Sequence, residues 1–270
     1  MSSQLQKSKI AFIGGGNMAA AIIGGLTAKG IDKQNIFVSE PWDVNRNKMA
    51  ETGVRTTASN AEASRDADLV ILAVKPQVAQ CVCRELAGAW AGRSTPPLVV
   101  SIAAGITLDS LRQWLSPENG GAPPHIVRVM PNTPALVGEG ASGLYAGDDV
   151  ADAEKELAAA LLSSVSKATE WVDREELLDI VTGLSGTFRP GVLLRHGGAP
   201  DRQRDGSGSP KGAGYPAREA DLRINVTSPK GTTEAALKSF EASGLKEAVD
   251  KAVKASTNRA EELGKTLGSS

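Results

Sequence analysis

The feature that most restricts how this chain folds is an alternation of short, mostly apolar runs with amphipathic segments between residues 9 and about 171. Runs at 9–13, 36–40, 69–72, 98–101 and 126–130 have the composition of parallel strands buried on both faces. Between them, 18–29, 44–51, 77–86 and 108–114 carry apolar residues at helical spacing and end in polar or glycine-bearing turns. Repeated strand–helix units of this kind specify an α/β fold with a doubly wound sheet. Two more strand-like runs, 142–146 and 168–172, flank a helix over about 151–164 and are expected at the far edge of that sheet. The first domain accordingly spans residues 1–172.

Beyond it the pattern changes. Segments 175–184 and 232–267 read as helices with no strand between them, so residues 173–270 form a smaller all-α domain. Leu237 and Phe240, then Leu245, Val249, Ala252 and Val253, make apolar stripes opposite faces rich in Lys and Glu. A helical unit so poor in aromatic residues needs a partner surface, and a second copy of the chain supplies one economically. Residues 188–218 show neither helical nor strand periodicity and read as a disordered loop. A structureless stretch of that length is unusual inside a compact enzyme.

Thirty basic side chains against thirty-one acidic ones give no electrostatic footprint for nucleic acid or an anionic membrane. No apolar run reaches the ~20 residues that cross a bilayer, and the first residues lack the apolar core of a secretory signal, so the expected location is the cytoplasm. Cys81 and Cys83 stand two apart on a helix, where they do not face each other, which disfavours a disulfide. His125 and His196 have no neighbours at ligand spacing, and no metal site is expected. These properties favour small-molecule chemistry.

That chemistry is announced by Gly14-Gly15-Gly16-Asn17-Met18-Ala19, which follows a strand and opens a helix. This is the order of a dinucleotide-binding, Rossmann-type turn, with Ala in the third small position. Gly14 permits the tight turn, Gly16 lets the backbone approach a pyrophosphate, and Ala19 allows the helix to lie close to the sheet. Glu40 ends the second strand about 20 residues further on, where an acidic side chain accepts hydrogen bonds from the adenosine ribose. Just downstream, Arg46 or Lys48 would neutralise a 2′-phosphate, or both with Asn45 merely flank a solvated helix start. The residues therefore leave NADH and NADPH both open. Val74-Lys75-Pro76 and Ala103-Ala104 close two further strands at the end that faces the cofactor, Lys75 being either a ligand contact or a surface charge.

Several further blocks resemble the pyrroline-5-carboxylate reductase family: Val129-Met130-Pro131-Asn132-Thr133-Pro134-Ala135, Glu139-Gly140-Ala141-Ser142-Gly143, Thr182-Gly183-Leu184-Ser185-Gly186 and Val226-Thr227-Ser228-Pro229-Lys230-Gly231-Thr232-Thr233. With the glycine turn and Val74-Lys75-Pro76 they stand in family order over 9–187 and about 220–265. The resemblance implies reduction of a cyclic imine to L-proline by a hydride from NADPH or NADH, the last step of proline biosynthesis, in a homodimer or higher homo-oligomer. It also implies roles. Thr233 would lie beside the imine nitrogen as hydrogen-bond partner or proton source. The backbone from Lys230 through Gly231 to Thr232 would hold the substrate carboxylate, and Ser228 would shape that loop. Glu175 and Asn225 would line the proline site, and Asn60 and Ala104 the cofactor side. A developing amine needs only a weak acid nearby, so the lack of a paired histidine does not count against this chemistry.

One stretch breaks the resemblance. The family continues from its Ser-Gly-x-Gly block into Pro-Ala-Tyr-Phe-Phe and two long helices that form the dimer core and one wall of the substrate site. Here Ser185-Gly186-Thr187 is followed by Phe188-Arg189-Pro190-Gly191-Val192-Leu193-Leu194, and the interval to Val226 is shorter than the family's. Codons for residues 189–194, read one nucleotide later, can spell Gly-Pro-Ala-Tyr-Phe-Phe. The same shift turns 195–199 into Val-Met-Glu-Ala-Leu and 208–213 into Gly-Leu-Pro-Lys-Glu-Gln. Residues 188 to about 214 are therefore expected to be an out-of-frame translation, with the frame restored near Ala217 after a lost piece. The competing readings are a non-catalytic or defective dinucleotide-binding relative, and another imine or β-hydroxyacid dehydrogenase of the same two-domain plan.

Overall fold

The computed structural model describes residues 3–117, 121–179 and 242–268. Strands β1 (Ile10–Ile13), β2 (Ile36–Ser39), β3 (Arg55–Thr57), β4 (Leu69–Leu72), β5 (Leu98–Ser101), β6 (Ile126–Pro131), β7 (Gly140–Ala146) and β8 (Ser166–Trp171) form one sheet in the order β3-β2-β1-β4-β5-β6-β7-β8. The strands from β3 across to β6 are parallel, β7 runs antiparallel to β6, and β8 is parallel to β7. The helices are α1 (Ser3–Lys7), α2 (Asn17–Ala28), α3 (Asp43–Glu51), α4 (Asn60–Ser64), α5 (Pro76–Ala89), α6 (Leu108–Leu115), α7 (Asp152–Leu162) and α8 (Leu245–Gly268).

The core follows from strand alternation. Ile10 and Phe12 point to one face with Val38, Ile71, Val100 and Val127, where they meet Ile22, Ile23 and Leu26 of α2 and Leu157 and Leu161 of α7. Ala11 and Ile13 point to the other, with Val70, Leu72 and Val99, against Cys83 and Leu86 of α5 and Leu111 and Trp114 of α6. Helices on both faces explain why these strands read as continuous apolar runs.

Register aligns the carboxyl ends of the strands. Ile13 pairs with Ser39 on one side and Leu72 on the other, Ser39 pairs with Thr57, and Leu72 pairs with Ser101, which pairs with Arg128. The chain runs outward from β1 to β2 and β3, then returns to place β4 on the other side of β1. This reversal makes the β1/β4 rim the topological switch point where doubly wound sheets bind ligands.

The doubly wound plan expected for residues 1–172 is present, with β7 and β8 at the far edge as anticipated. The short elements β3 and α4 were not foreseen. Within the helical expectation, Leu177 to Asp179 are helical, and a turn at Ser243 and Gly244 precedes α8. Gly244 has φ +66°, a conformation suited to glycine ahead of a new helix. In α8, Ala260, Gly264 and Gly268 recur at intervals of four and lie against Gly105 and Ser110, so small residues bring the helix close to the β5–α6 loop. The anomalous stretch 188–218, the stripe residues Leu237 and Phe240, and Asn225, Ser228, Gly231, Thr232 and Thr233 lie outside the described residues.

Candidate functional site

The turn between β1 and α2 is built as its glycines require. Gly14 has φ +102°, and a Cβ there would lie 2.6 Å from the carbonyl oxygen of Ala73. Its N–H donates to the carbonyl of Ser39 at 2.8 Å, tying the turn to β2. Gly15 N–H donates to Oε2 of Glu40 at 2.8 Å, and a Cβ at Gly15 would press within 3.1 Å of Met49 Cγ. Gly16 is different: it is the N-cap of α2, supplies no side-chain cap, and a Cβ on it would meet nothing within 4 Å. The first-turn N–H groups of α2 are thus uncapped beside open space, an arrangement that suits a phosphate anion. Asn17 is exposed, Met18 half-buried, and Ala19 buried against the sheet.

The loops after β4 and β5 adjoin this turn. Ala73 N–H donates to Ile13 O at 2.8 Å, and Ile102 N–H to Leu72 O at 3.1 Å, so each loop is fastened to the neighbouring strand. Val74 is half-buried, exposed Lys75 is the N-cap of α5, and Pro76 opens that helix. Ala103 is buried and Ala104 half-buried, followed by Gly105 at φ +75°. The residues expected on the cofactor side, Gly14 to Met18, Val74 to Pro76 and Ala103 to Ala104, therefore converge on one rim.

At the other end of the rim the structure gives the residues read from sequence partners within the chain. Glu40 is nearly buried, with Oε2 accepting from Gly15 N–H and Oε1 from Trp42 N–H at 3.0 Å. Its carboxylate thus clamps the glycine turn to the β2–α3 loop, with one accepting direction on each oxygen taken by these two N–H groups. Arg46 is also engaged: Nη1 donates to the carbonyls of Glu40 at 2.9 Å and Pro41 at 3.1 Å, while Nη2 pairs with Asp43. Lys48 is exposed and Asn45 half-buried. Asn60 bridges the β2 end to α5, accepting from Ser39 Oγ at 2.7 Å and donating to Glu85 at 2.8 Å.

Glu175 stands apart from these. Its carboxylate pairs with Arg128 on β6 and accepts from Leu108 N–H, at the start of α6, at 2.6 Å. Arg128 is almost wholly buried and went unnoticed in the sequence, although a lone arginine in the run Ile126-Val127-Arg128-Val129 is itself the signal of a buried partner. Nearby, Asp179 has a buried Oδ1 that meets no hydrogen-bond partner among the described residues, and burial pushes its carboxyl above the ordinary value while Arg128 opposes the shift. Glu176, Asp179, Glu261 and Lys265 line a cleft of about 840 Å³ that opens beside Gly105.

A family model described as NADP oxidoreductase, coenzyme F420-dependent, matches residues 9–105, and one described as pyrroline-5-carboxylate reductase dimerisation matches 206–263. A pyrroline-5-carboxylate reductase from Pseudomonas aeruginosa is 44% identical over 277 residues, covering 96% of this chain and 98% of the relative. The chain belongs to the pyrroline-5-carboxylate reductase family. A solved pyrroline-5-carboxylate reductase from Coxiella burnetii agrees, with a TM-score of 0.75 at 33% identity over 95% of this chain and 98% of that one. The Plasmodium falciparum pyrroline carboxylate reductase, solved with NADP bound, shares the fold at a TM-score of 0.70 and 24% identity, covering 96% and 99% of the two chains. The aligned length of 277 with the Pseudomonas reductase exceeds the 270 residues here, so that reductase carries residues with no counterpart in this chain. The segment matched by the dimerisation model takes in helix α8 from Leu245 to residue 263.

Proposed function

We propose that this chain reduces 1-pyrroline-5-carboxylate to L-proline with NADPH or NADH, completing proline biosynthesis as a cytoplasmic homodimer or larger homo-oligomer. The observation that carries the reading is the uncapped glycine cradle at the β1/β4 switch point, in a chain of the reductase family. The nicotinamide, when bound, supplies the hydride that adds to the carbon of the C=N bond. The chain's own part is to hold and orient. Backbone N–H groups from Gly16 to Met18 receive the pyrophosphate on the turn that Gly14 and Gly15 shape, and the loops at Val74 to Pro76 and Ala103 to Ala104 support the nicotinamide half.

In this proposal Thr233 donates to the imine nitrogen as it becomes an amine, and Gly231 and Thr232 offer backbone N–H groups to the substrate carboxylate. Ser228 shapes that loop, and Glu175 and Asn225 line the same site. A weak hydroxyl acid suffices, because the nitrogen gains basicity as the hydride arrives.

The test is oxidation of NADH and of NADPH by the purified chain, with and without the imine, beside Thr233→Ala. Imine-dependent turnover that falls roughly 100-fold or more in the variant is the expected result. Cofactor binding without imine-dependent turnover would establish the second reading, a dinucleotide-binding relative that lacks catalysis, which the altered stretch at 188–218 favours.

A further inference from the structure

We infer that the indole of Trp42 is the platform on which the adenine ring of the dinucleotide stacks. The inference rests on the dinucleotide reading above and extends it to a residue at the adenosine end of the rim. Trp42 is 70% exposed, although tryptophan is among the residues that gain most from burial. Trp90 and Trp114 are buried in the same domain.

Its backbone is anything but loose. Trp42 N–H and Gly15 N–H are held by the two oxygens of one carboxylate, at 3.0 and 2.8 Å. The preceding carbonyls of Glu40 and Pro41 are both held by Arg46. A large aromatic side chain is thus displayed on a fixed loop, one carboxylate away from the phosphate-binding turn. An adenine whose pyrophosphate occupies that turn extends toward the end of β2, as the Rossmann arrangement requires. Stacking there needs little further ordering of the protein, and an aromatic face accepts a purine without hydrogen-bond readout.

The arrangement also separates two functions at this end of the site. Arg46 is engaged by two carbonyls and Asp43, whereas the ring reads only the adenine face, so the stacking contribution is the same for phosphorylated and unphosphorylated cofactors.

The experiment uses the full chain and ADP-ribose, which carries the adenosine half without the nicotinamide. Binding is followed by calorimetry and by quenching of intrinsic tryptophan fluorescence. Wild type should bind with quenching, and Trp171→Phe should keep both. Trp42→Ala should lose most of the quenching and bind roughly 5- to 150-fold more weakly. Trp42→Phe, which keeps a ring, should recover most of the affinity without the quenching. If Trp42→Ala binds within about twofold of wild type, the inference is overturned, and a changed oligomeric state in that variant would instead assign the indole to a contact between copies. Wild type that binds no ADP-ribose would overturn the dinucleotide reading itself.

Discussion

Gly15 donates its backbone N–H to the carboxylate of Glu40 at 2.8 Å, so a side chain from the end of β2 fixes the turn between β1 and α2. The other oxygen of the same carboxylate holds Trp42 N–H. Glu40→Ala removes both acceptors and should lower unfolding free energy by about 1–3 kcal/mol, with weaker cofactor binding. Glu40→Gln keeps one acceptor oxygen but sets an amide donor against the second N–H, and should fall between the two. Denaturant titration and cofactor titration check both variants. Wild-type values for Glu40→Ala on both would remove the clamp from the account.

Gly14 and Gly16 should fail in different ways. At Gly14, φ is +102° and an added Cβ meets the Ala73 carbonyl at 2.6 Å, so Gly14→Ala should cost about 1–3 kcal/mol or more of stability. Gly16 has ordinary φ, and an added methyl meets no atom of the described residues within 4 Å. Gly16→Ala should therefore melt like wild type while binding cofactor at least ~10-fold more weakly, a loss of about 1.4 kcal/mol through crowding of the pyrophosphate. Thermal melts beside cofactor titrations would show the contrast, and equal melting temperatures for the two variants would contradict it.

These contrasts also mark what was legible in advance. The buried strands were visible because runs such as Leu69–Leu72 are apolar on both faces, and the glycine turn because its spacing answers to one geometry. Strand β3 was not visible. Arg55–Thr57 is three residues long, polar and on the sheet edge, so no alternation or apolar run distinguishes it from a loop. Helix α4 is too short to show a period. The partners of Glu40 and Arg46 within the chain were not legible either, because sequence position places a side chain at a strand end but does not show which backbone groups it meets there.

Arg128 and Glu175 join β6 to the segment after β8. The arginine is 5% exposed and the carboxylate 23%, so removing one partner strands a largely desolvated charge. Arg128→Ala should destabilise by about 3–5 kcal/mol, whereas Arg128→Met combined with Glu175→Leu should recover much of that loss. Glu175→Gln retains an oxygen for Leu108 N–H and separates structure from substrate binding. A higher KM for the imine at nearly wild-type stability would support the proposed place of Glu175 in the substrate site. Lower stability with unchanged KM would leave it a purely structural ion pair.

The two free cysteines should differ in reactivity. Burial pushes the Cys83 thiol from its ordinary 9.0 to about 12, while Cys81 is exposed on the same helix. Iodoacetamide at neutral pH should label Cys81 and spare Cys83 in the folded chain, since the thiolate is the nucleophile. The same shift has a stability consequence. The fold keeps the thiol neutral, so its contribution is fully present below pH 9.0 and is lost as pH rises toward about 12. Mass spectrometry of the labelled peptide decides the first point, and comparison of Cys83→Ala with wild type across that pH range decides the second.

The stretch after Thr187 yields a prediction at the level of nucleotides. For the shifted frame to read Gly-Pro-Ala-Tyr-Phe-Phe, Pro190 must be encoded by CCC, Gly191 by GGC, Val192 by GTA, and Leu193 and Leu194 both by CTT. Each alternative codon breaks the family motif: GTC at Val192, for example, replaces Tyr by Ser. Determining the coding DNA across 188–217 should return those codons, together with Val-Met-Glu-Ala-Leu and Gly-Leu-Pro-Lys-Glu-Gln further along the same shifted frame. Restoring the frame should then supply the apolar segment that 188–218 lacks, and with it the partner surface that the stripe at Leu245, Val249, Ala252 and Val253 calls for. The restored chain should associate more tightly than the chain as written when the two are compared by sedimentation. Other codons at Gly191 and Val192 would make the stretch a genuine part of this protein, and the reductase would have to close its substrate site without the family's Pro-Ala-Tyr-Phe-Phe helix.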